Sequence, residues 1–94
     1  MRYIKVAWIH DDNDEPILIF SEIDSDLREH RKIEVFRNGH KGYADSEEEL
    51  GGSMLGKVPW PDLNELGAEP DFEVAELKAC EFEEVWASRR QRKA

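Results

Sequence analysis

Residues 31–44 read RKIEVFRNGHKGYA, and this stretch carries the strongest signal for the fold. Apolar side chains recur at every second position of KIEV, which is the period of a strand with one buried face. Asn38-Gly39 follows, the dipeptide that most readily adopts the two positive φ angles of a type I′ turn. The stretch therefore predicts a β-hairpin with strands over residues 31–37 and 40–44.

Two more strands are predicted on the N-terminal side of the hairpin. Residues 3–9, YIKVAWI, alternate between two faces, and three apolar side chains share one of them: Ile4, Val6 and Trp8. Residues 16–20 form an apolar run that is rich in β-formers, and Pro16 suits the first position of a strand. Residues 21–28 are polar, so we expect the second strand to end before Ser21.

The middle of the chain contains shorter patterns. Residues 46–50 predict one helical turn that a glycine pair ends, followed by a short edge strand at 53–55. Pro61-Asp62 predicts the start of a short helix that ends at Gly67. Residues 72–77, FEVAEL, fit either a short strand or the approach to a helix, and both alternatives stay open.

The C-terminal part predicts an amphipathic helix. Phe82, Val85 and Trp86 form an apolar stripe at helical spacing, with glutamates outside it. Early glutamates and late arginines also suit the helix macrodipole. Together these elements predict a single α+β domain over residues 1–90, with a mainly antiparallel sheet of four to five strands and this helix packed on one face. Residues 91–94 are expected to form a basic, frayed tail.

Composition limits the possible partners. The 94 residues include 22 acidic and 13 basic side chains, which gives a net charge of −9. Such a chain repels phosphate, so we expect no direct nucleic-acid partner and an attraction to basic proteins. No apolar run approaches the roughly 20 residues that a membrane-spanning helix needs, so we expect no membrane association and a cytoplasmic location.

The cysteine and tryptophan residues are assigned mainly to packing. Cys80 is the single cysteine, which excludes an internal disulfide and a zinc site of several cysteines, and we interpret it as a small packing residue. Trp8 and Trp86 lie on predicted buried faces and are assigned to the core. Trp60 lies between two prolines and fits either a core plug, which we favour, or an exposed interface anchor.

Residues 10–16, HDDNDEP, are the main candidate for a functional site. As a calcium loop the stretch is incomplete, because it lacks the glycine of an EF-hand and has Ile23 where the bidentate glutamate belongs. As a catalytic site it would use His10 with Asp11, or Asp11 with Glu15, as general acid and base. No nucleophile or glycine-rich phosphate loop is close in sequence, so we expect no metal, no cofactor and no catalysis here.

Two further interpretations of this acidic loop remain open. A solvated hairpin turn explains its hydrophilicity, but neighbouring like charges repel one another, so a simple turn does not require so many carboxylates. Dense carboxylates suit a surface that binds a cationic partner, because they accelerate association and pair with arginine or lysine. The predicted partner-binding residues are Asp11, Asp12, Asp14, Glu15, Glu22, Asp24 and Asp26.

Several separate segments also resemble a family of small bacterial proteins filed as a domain of unknown function. The shared pattern comprises Trp8-Ile9-His10-Asp11, Asp14-Glu15-Pro16, Ser21-Glu22-x-Asp24, Arg31-Lys32-Ile33-Glu34-x-Phe36, Gly42-Tyr43-Ala44, Gly51-Gly52, Leu55-Gly56 and Glu81-Phe82-Glu83-x-x-Trp86. The resemblance runs from end to end and names no catalytic residue. The chain departs from the pattern at Lys78 and Ala79, where a Ser or Thr cap is expected before the final helix, and in its longer basic tail.

Small acidic proteins of this kind are similar to immunity proteins of bacterial polymorphic toxin systems. The resemblance implies a binding protein that neutralises a cognate toxin by covering a basic surface. We favour a monomer. Two alternatives stay open: a small enzyme that uses His10 and Asp11, and a regulatory or DNA-mimic protein with a basic target.

Overall fold

The computed structural model describes residues 1–90, so the predicted frayed tail at 91–94 lies outside the described residues. Its elements are β1 (Arg2–Trp8), β2 (Leu18–Ile23), β3 (Glu29–Val35), β4 (Lys41–Ala44), β5 (Glu49–Leu50), α1 (Leu63–Gly67), β6 (Phe72–Leu77) and α2 (Ala79–Ala87). The strands form one antiparallel sheet in the order β5-β4-β3-β2-β1-β6. The predicted α+β class, the antiparallel sheet and the C-terminal helix are confirmed.

The sheet has six strands rather than the four to five that we expected. Strands β1 to β4 follow one another as a meander, and β6 then returns to pair with β1, from Tyr3 opposite Leu77 to Trp8 opposite Phe72. Residues 72–77 are therefore a strand, which settles the alternative that the sequence left open. The local pattern could not decide this, because the pairing partner is at the other end of the chain.

The predicted hairpin between β3 and β4 is present, but its turn is not type I′. Gly39 has a φ of +86°, and within residues 1–90 Leu27 is the only non-glycine residue with a positive φ, so Asn38 does not adopt one. The Gly39 N–H donates to the Phe36 carbonyl at 2.9 Å, and the Phe36 N–H donates to the His40 carbonyl at 2.9 Å. This is a three-residue loop that ends in a left-handed glycine. The Asn38 side chain accepts the His40 N–H at 2.9 Å and stabilises the turn.

Strand β2 continues through Ser21, Glu22 and Ile23, all of which are buried, so the expected end before Ser21 was wrong. The two polar side chains are buried because β3 provides their partners. Ser21 donates to Glu29 at 2.8 Å, and Glu22 accepts from Arg31 at 2.7 and 2.9 Å. Buried polar groups with such partners are tolerated in a strand, which a count of apolar residues does not detect.

The segment after β4 also differs from expectation, since residues 46–50 form no helical turn and residues 53–55 form no strand. Asp45 instead accepts the N–H groups of Glu47 and Glu48, both at 2.8 Å, which starts the turn into β5. Residues 53–56, which follow β5, are bound to the sheet by hydrogen bonds with its side chains and not by backbone pairing of strands. Ser53 donates to Glu34 at 2.5 Å, the Met54 carbonyl accepts from Lys32 at 3.0 Å, and the Gly56 N–H donates to Glu29 at 2.7 Å.

Apolar side chains cover both faces of the sheet. On one face Phe20, Ile33 and Tyr43 pack against Phe82 of α2. The other contains Ile4, Val6 and Ile23, packed against α1 and the half-buried Trp60. Trp60 is thus a core plug, as we favoured. Cys80 is exposed in the first turn of α2, so its assignment to packing was wrong.

Helix α2 begins where a serine or threonine cap is absent. Lys78 is the N-cap residue, and its backbone N–H donates to the Glu81 carboxylate at 2.8 Å. Glu81 is the third residue of the helix, and its bond to the N-cap N–H is one of the two hydrogen bonds of a capping box. The other bond needs a side-chain acceptor at the N-cap, which lysine lacks. The predicted apolar stripe is confirmed, with Phe82 buried and Val85 and Trp86 half-buried.

Candidate protein-binding site

The acidic loop connects β1 to β2 at one end of the sheet. Its four carboxylate residues, Asp11, Asp12, Asp14 and Glu15, are all exposed. Within residues 1–90 none of these carboxylates forms a salt bridge. Four exposed negative charges therefore lie within five residues, and no salt bridge within residues 1–90 neutralises them.

His10 holds the acidic loop closed across its base. The Nδ1 atom of His10 accepts the Asp12 N–H at 3.0 Å, so it carries no proton. The Nε2 atom lies 2.7 Å from the Pro16 carbonyl, which can only accept, so Nε2 carries the proton and donates. The ring is thus the neutral tautomer protonated on Nε2, and both of its nitrogens stabilise the loop.

Neighbouring elements fix the remaining backbone of the loop. The Ile9 N–H donates to the Asp71 carbonyl at 2.8 Å, and Arg37 donates to the His10 carbonyl. The Asp14 N–H donates to the Asp12 side chain at 2.8 Å. Several backbone groups of the loop are therefore held by hydrogen bonds, while the side chains of its four acidic residues are exposed.

The other predicted binding residues do not join this loop. Asp24 and Asp26 follow β2, whereas the acidic loop precedes it, so the six residues of β2 separate the two groups by roughly 20 Å. Asp24 and Asp26 therefore lie apart from the acidic loop, and their contact with a partner stays a prediction. Asp26 is exposed in a separate turn.

Asp24 has a local role in its own turn. Its carboxylate accepts the N–H groups of Asp26 and Arg28 at 2.9 and 3.1 Å, and it lies 2.8 Å from Nε2 of His30. The hydrogen bond with His30, followed by the backbone N–H groups, lowers the pKa of Asp24 below its ordinary value. Asp24 therefore stabilises the turn that contains the left-handed Leu27.

Glu22 lies under α2 and is paired within the fold. Its carboxylate accepts two hydrogen bonds from Arg31, whose guanidinium also donates to Glu83 on α2 at 2.8 and 2.9 Å. The hydrogen bonds from Arg31 lower the pKa of Glu22 despite its burial. Only about 10% of the Glu22 side chain is exposed, so its carboxylate is used within the fold.

Strand β6 adds acidic residues that the sequence reading missed. Asp71 lies beside the acidic loop through its hydrogen bond to Ile9, and Glu73 lies opposite Ala7 on β1. Both residues are exposed. Acidic and apolar residues alternate in DFEV, residues 71–74. If this segment had been predicted as a strand pairing with β1, the alternation would have placed Asp71 and Glu73 on one face beside the acidic loop. We define the acidic face as Asp11, Asp12, Asp14, Glu15, Asp71 and Glu73.

Metal ligands and membrane spans are the other features that bear on function. Among residues 1–90, no group of three or more histidine, cysteine, aspartate or glutamate side chains is arranged to hold a metal ion. No helix within these residues has the length and apolar character needed to cross a membrane.

Comparison with known proteins assigns the chain to a family. The family model described as "Domain of unknown function (DUF6881)" matches residues 2–91. The chain belongs to this family. The DUF6881 match spans the acidic loop, the Glu22–Arg31 pair and β6, and it confirms the resemblance to a domain of unknown function. No curated protein and no solved structure matches the chain.

Proposed function

We propose that this protein is a binding domain that neutralises a cognate bacterial toxin in the cytoplasm by covering a basic surface of that toxin. The observation that carries the proposal is the acidic loop, in which Asp11, Asp12, Asp14 and Glu15 are exposed and form no salt bridge within residues 1–90. Unpaired surface carboxylates accelerate the association of a basic protein, and those that become buried pair with its arginines.

The order of the loop supports binding over a solvated turn. Hydrogen bonds from His10, Arg37 and Ile9 fix its backbone before a partner arrives. A surface that is already ordered loses less conformational entropy on binding, which increases affinity without additional contacts. A turn that only connects two strands does not need three such constraints.

The contacts of His10 also favour binding over the enzyme alternative with His10 and Asp11. A general base needs a free nitrogen lone pair, but Nδ1 of His10 already accepts the Asp12 N–H. Its other nitrogen donates to the Pro16 carbonyl. Proton transfer through this ring would therefore break a hydrogen bond that closes the loop.

The proposal is tested with the product of the adjacent gene, which is first assayed for toxicity when it is expressed alone. Asp11, Asp12, Asp14 and Glu15 are replaced together by their amides, and association and dissociation rates are measured at two salt concentrations, with cell survival during toxin expression. We expect slower association with a weaker salt dependence, and faster dissociation if one carboxylate pairs with a buried arginine, at a cost of about 2–5 kcal/mol. Survival should fall.

A matched control removes the same charge elsewhere. Glu47, Glu49, Glu65 and Glu84 are exposed carboxylates outside the acidic face, and their joint replacement by glutamine removes four charges as well. This control should bind far better than the loop variant, since only the position of the charges differs. If the loop variant binds and protects as well as the parent, the acidic loop is not the binding surface.

A further inference from the structure

The hydrogen-bonding directions along β6 follow from one contact and the strand register. Ile9 lies opposite Asp71 when the β1–β6 register is continued, and its N–H donates to the Asp71 carbonyl. In an antiparallel pair, residues alternate between bonding the neighbouring strand and facing away from it. The backbone groups of Glu73 and Ala75 therefore face β1, and those of Val74 and Glu76 face outward.

The outward side of β6 is an open strand edge. Strand β6 is the last strand on its side of the sheet, and among residues 1–90 no backbone group pairs with the outward N–H or carbonyl of Val74 or Glu76. At the opposite edge, β5 has only two residues. Long unpaired edges are templates for an additional strand, and native proteins usually shorten or cover them.

We propose that the outer edge of β6 binds an extended, basic segment of the protein partner as an additional strand. This proposal rests on the proposed function and specifies how the partner is bound. Backbone hydrogen bonds from Val74 and Glu76 supply affinity, as in other strand-addition complexes, and side chains supply selectivity. The partner strand would extend the six-stranded sheet to seven.

Charge complementarity identifies the segment as basic. Glu73 lies on β6, and Asp71 joins the N-terminal end of this strand to the acidic loop, so the edge and the acidic face are continuous. A second copy of this chain would bring the same carboxylates together, at an unfavourable electrostatic energy. The charges that prevent self-association therefore select an arginine- or lysine-rich strand.

A groove beside the edge can accept side chains of the added strand. It lies between α1 and the β1–β6 pair, and Ile4, Leu63 and Val74 provide its apolar lining. The Arg2–Glu76 ion pair, at 2.8 Å, lies at the same groove. A segment that alternates basic and β-branched residues can thus place apolar side chains toward α1 and basic ones toward Glu73 on the other face.

The test uses a synthetic peptide with the sequence KVRVKV and amide exchange measured by nuclear magnetic resonance. In the free protein we expect the N–H groups of Val74 and Glu76 to exchange rapidly and that of Ala75, bonded to β1, to exchange slowly. Peptide binding should slow exchange at Val74 and Glu76 by at least about tenfold. A control peptide, N-methylated at alternate residues, keeps its charges but lacks the donors of one edge, and it should bind at least about tenfold more weakly.

A pair of protein variants gives an independent measurement. Glu76→Pro removes the outward N–H and places a ring against the incoming strand, whereas Glu76→Ala removes the same carboxylate and keeps the N–H. Because proline is tolerated on edge strands, both variants should fold. The proline variant should bind KVRVKV about tenfold more weakly than the alanine variant. If Glu76→Pro does not fold, the comparison of the plain and N-methylated peptides still tests strand addition.

Equal binding of the plain and N-methylated peptides, or unchanged exchange at Val74 and Glu76, would overturn strand addition. Binding of a toxic product of the adjacent gene separates this failure from failure of the proposed function. If the loop amides abolish toxin binding while Glu76→Pro binds as Glu76→Ala does, the acidic loop remains the binding site and the β6 edge is excluded. If neither set of variants alters toxin binding, the proposed function fails as well.

Discussion

Arg31 binds Glu22 through two parallel hydrogen bonds, Nη2 to Oε2 at 2.7 Å and Nε to Oε1 at 2.9 Å, underneath helix α2. The same guanidinium lies 5.0 Å from the ring centre of Phe82 and 5.1 Å from that of Trp86, and it also binds Glu83. Arg31 thus connects β2 and β3 to the helix by charge and by stacking at once. This connection leads to predictions on stability and acid sensitivity.

Removing the guanidinium should destabilise the fold strongly. Arg31→Met leaves the buried Glu22 carboxylate without its cation, and breaking such a pair costs about 3–5 kcal/mol when both partners are buried. Since about 21% of the Arg31 side chain is exposed, we expect the lower part of that range. The urea midpoint of unfolding measures this. Glu83→Gln is the control, because over half of its side chain is exposed and surface pairs contribute about 0–1 kcal/mol.

Acidification should weaken the parent more than Glu22→Gln. Arg31 lowers the folded-state pKa of Glu22 below its unfolded value of about 4.3. A lowered pKa contributes stability that is present above the unfolded pKa and is lost as pH falls through the folded pKa. The free-energy difference between parent and variant should therefore be largest near neutral pH and shrink below about pH 4.3. Parallel curves of unfolding free energy against pH would contradict this.

Phe82→Ala should cost more than Trp86→Ala, although the tryptophan is larger. Phe82 has no exposed surface and packs between Tyr3 and Trp86, with ring centres at 5.0 and 6.4 Å. Its truncation leaves a closed cavity and should cost about 3–5 kcal/mol. Trp86 is only half-buried, so water can occupy part of its site, and we expect about 2 kcal/mol. Denaturant titration of the two variants measures which one loses more unfolding free energy.

His10→Ala should loosen the acidic loop with little effect on the core. The variant loses the hydrogen bonds to the Asp12 N–H and the Pro16 carbonyl, each contributing about 1 kcal/mol. Amide exchange at Asp12 should accelerate, while that of Ile33, in the centre of the sheet, should change only as far as global stability changes. Unchanged exchange at Asp12 would show that other contacts order the loop.

The sequence predicted those elements whose evidence is local. The alternation of β1, the β3–β4 hairpin and the apolar stripe of α2 need only nearby residues, and all three are present. The polar end of β2 was missed because Ser21 and Glu22 become favourable in a strand only through partners eight and nine positions away. Strand β6 stayed ambiguous because its pairing partner is β1.

In the candidate site, too, the sequence predicted local features and missed those that depend on contacts between distant segments. The exposed carboxylates of residues 11–15 were identified from composition alone. Their separation from Asp24 and Asp26 depends on the full length of β2, which the sequence underestimated. The tautomer of His10 and the contribution of Asp71 depend on contacts between segments. Such contacts leave no local pattern.

The return of β6 to β1 has a kinetic consequence for the folding reaction. Neighbouring strands of the β1–β4 meander can pair early, because short loops join them at small entropic cost. The pairing of Tyr3 with Leu77 must close almost the whole chain, so we expect it in the slow, late part of the reaction. Substitutions in β6 should then change the rate of unfolding far more than the rate of refolding. In any chain where β6 has not yet docked, β1 itself would be the open edge of the sheet and would expose an alternating apolar strand that the native protein conceals.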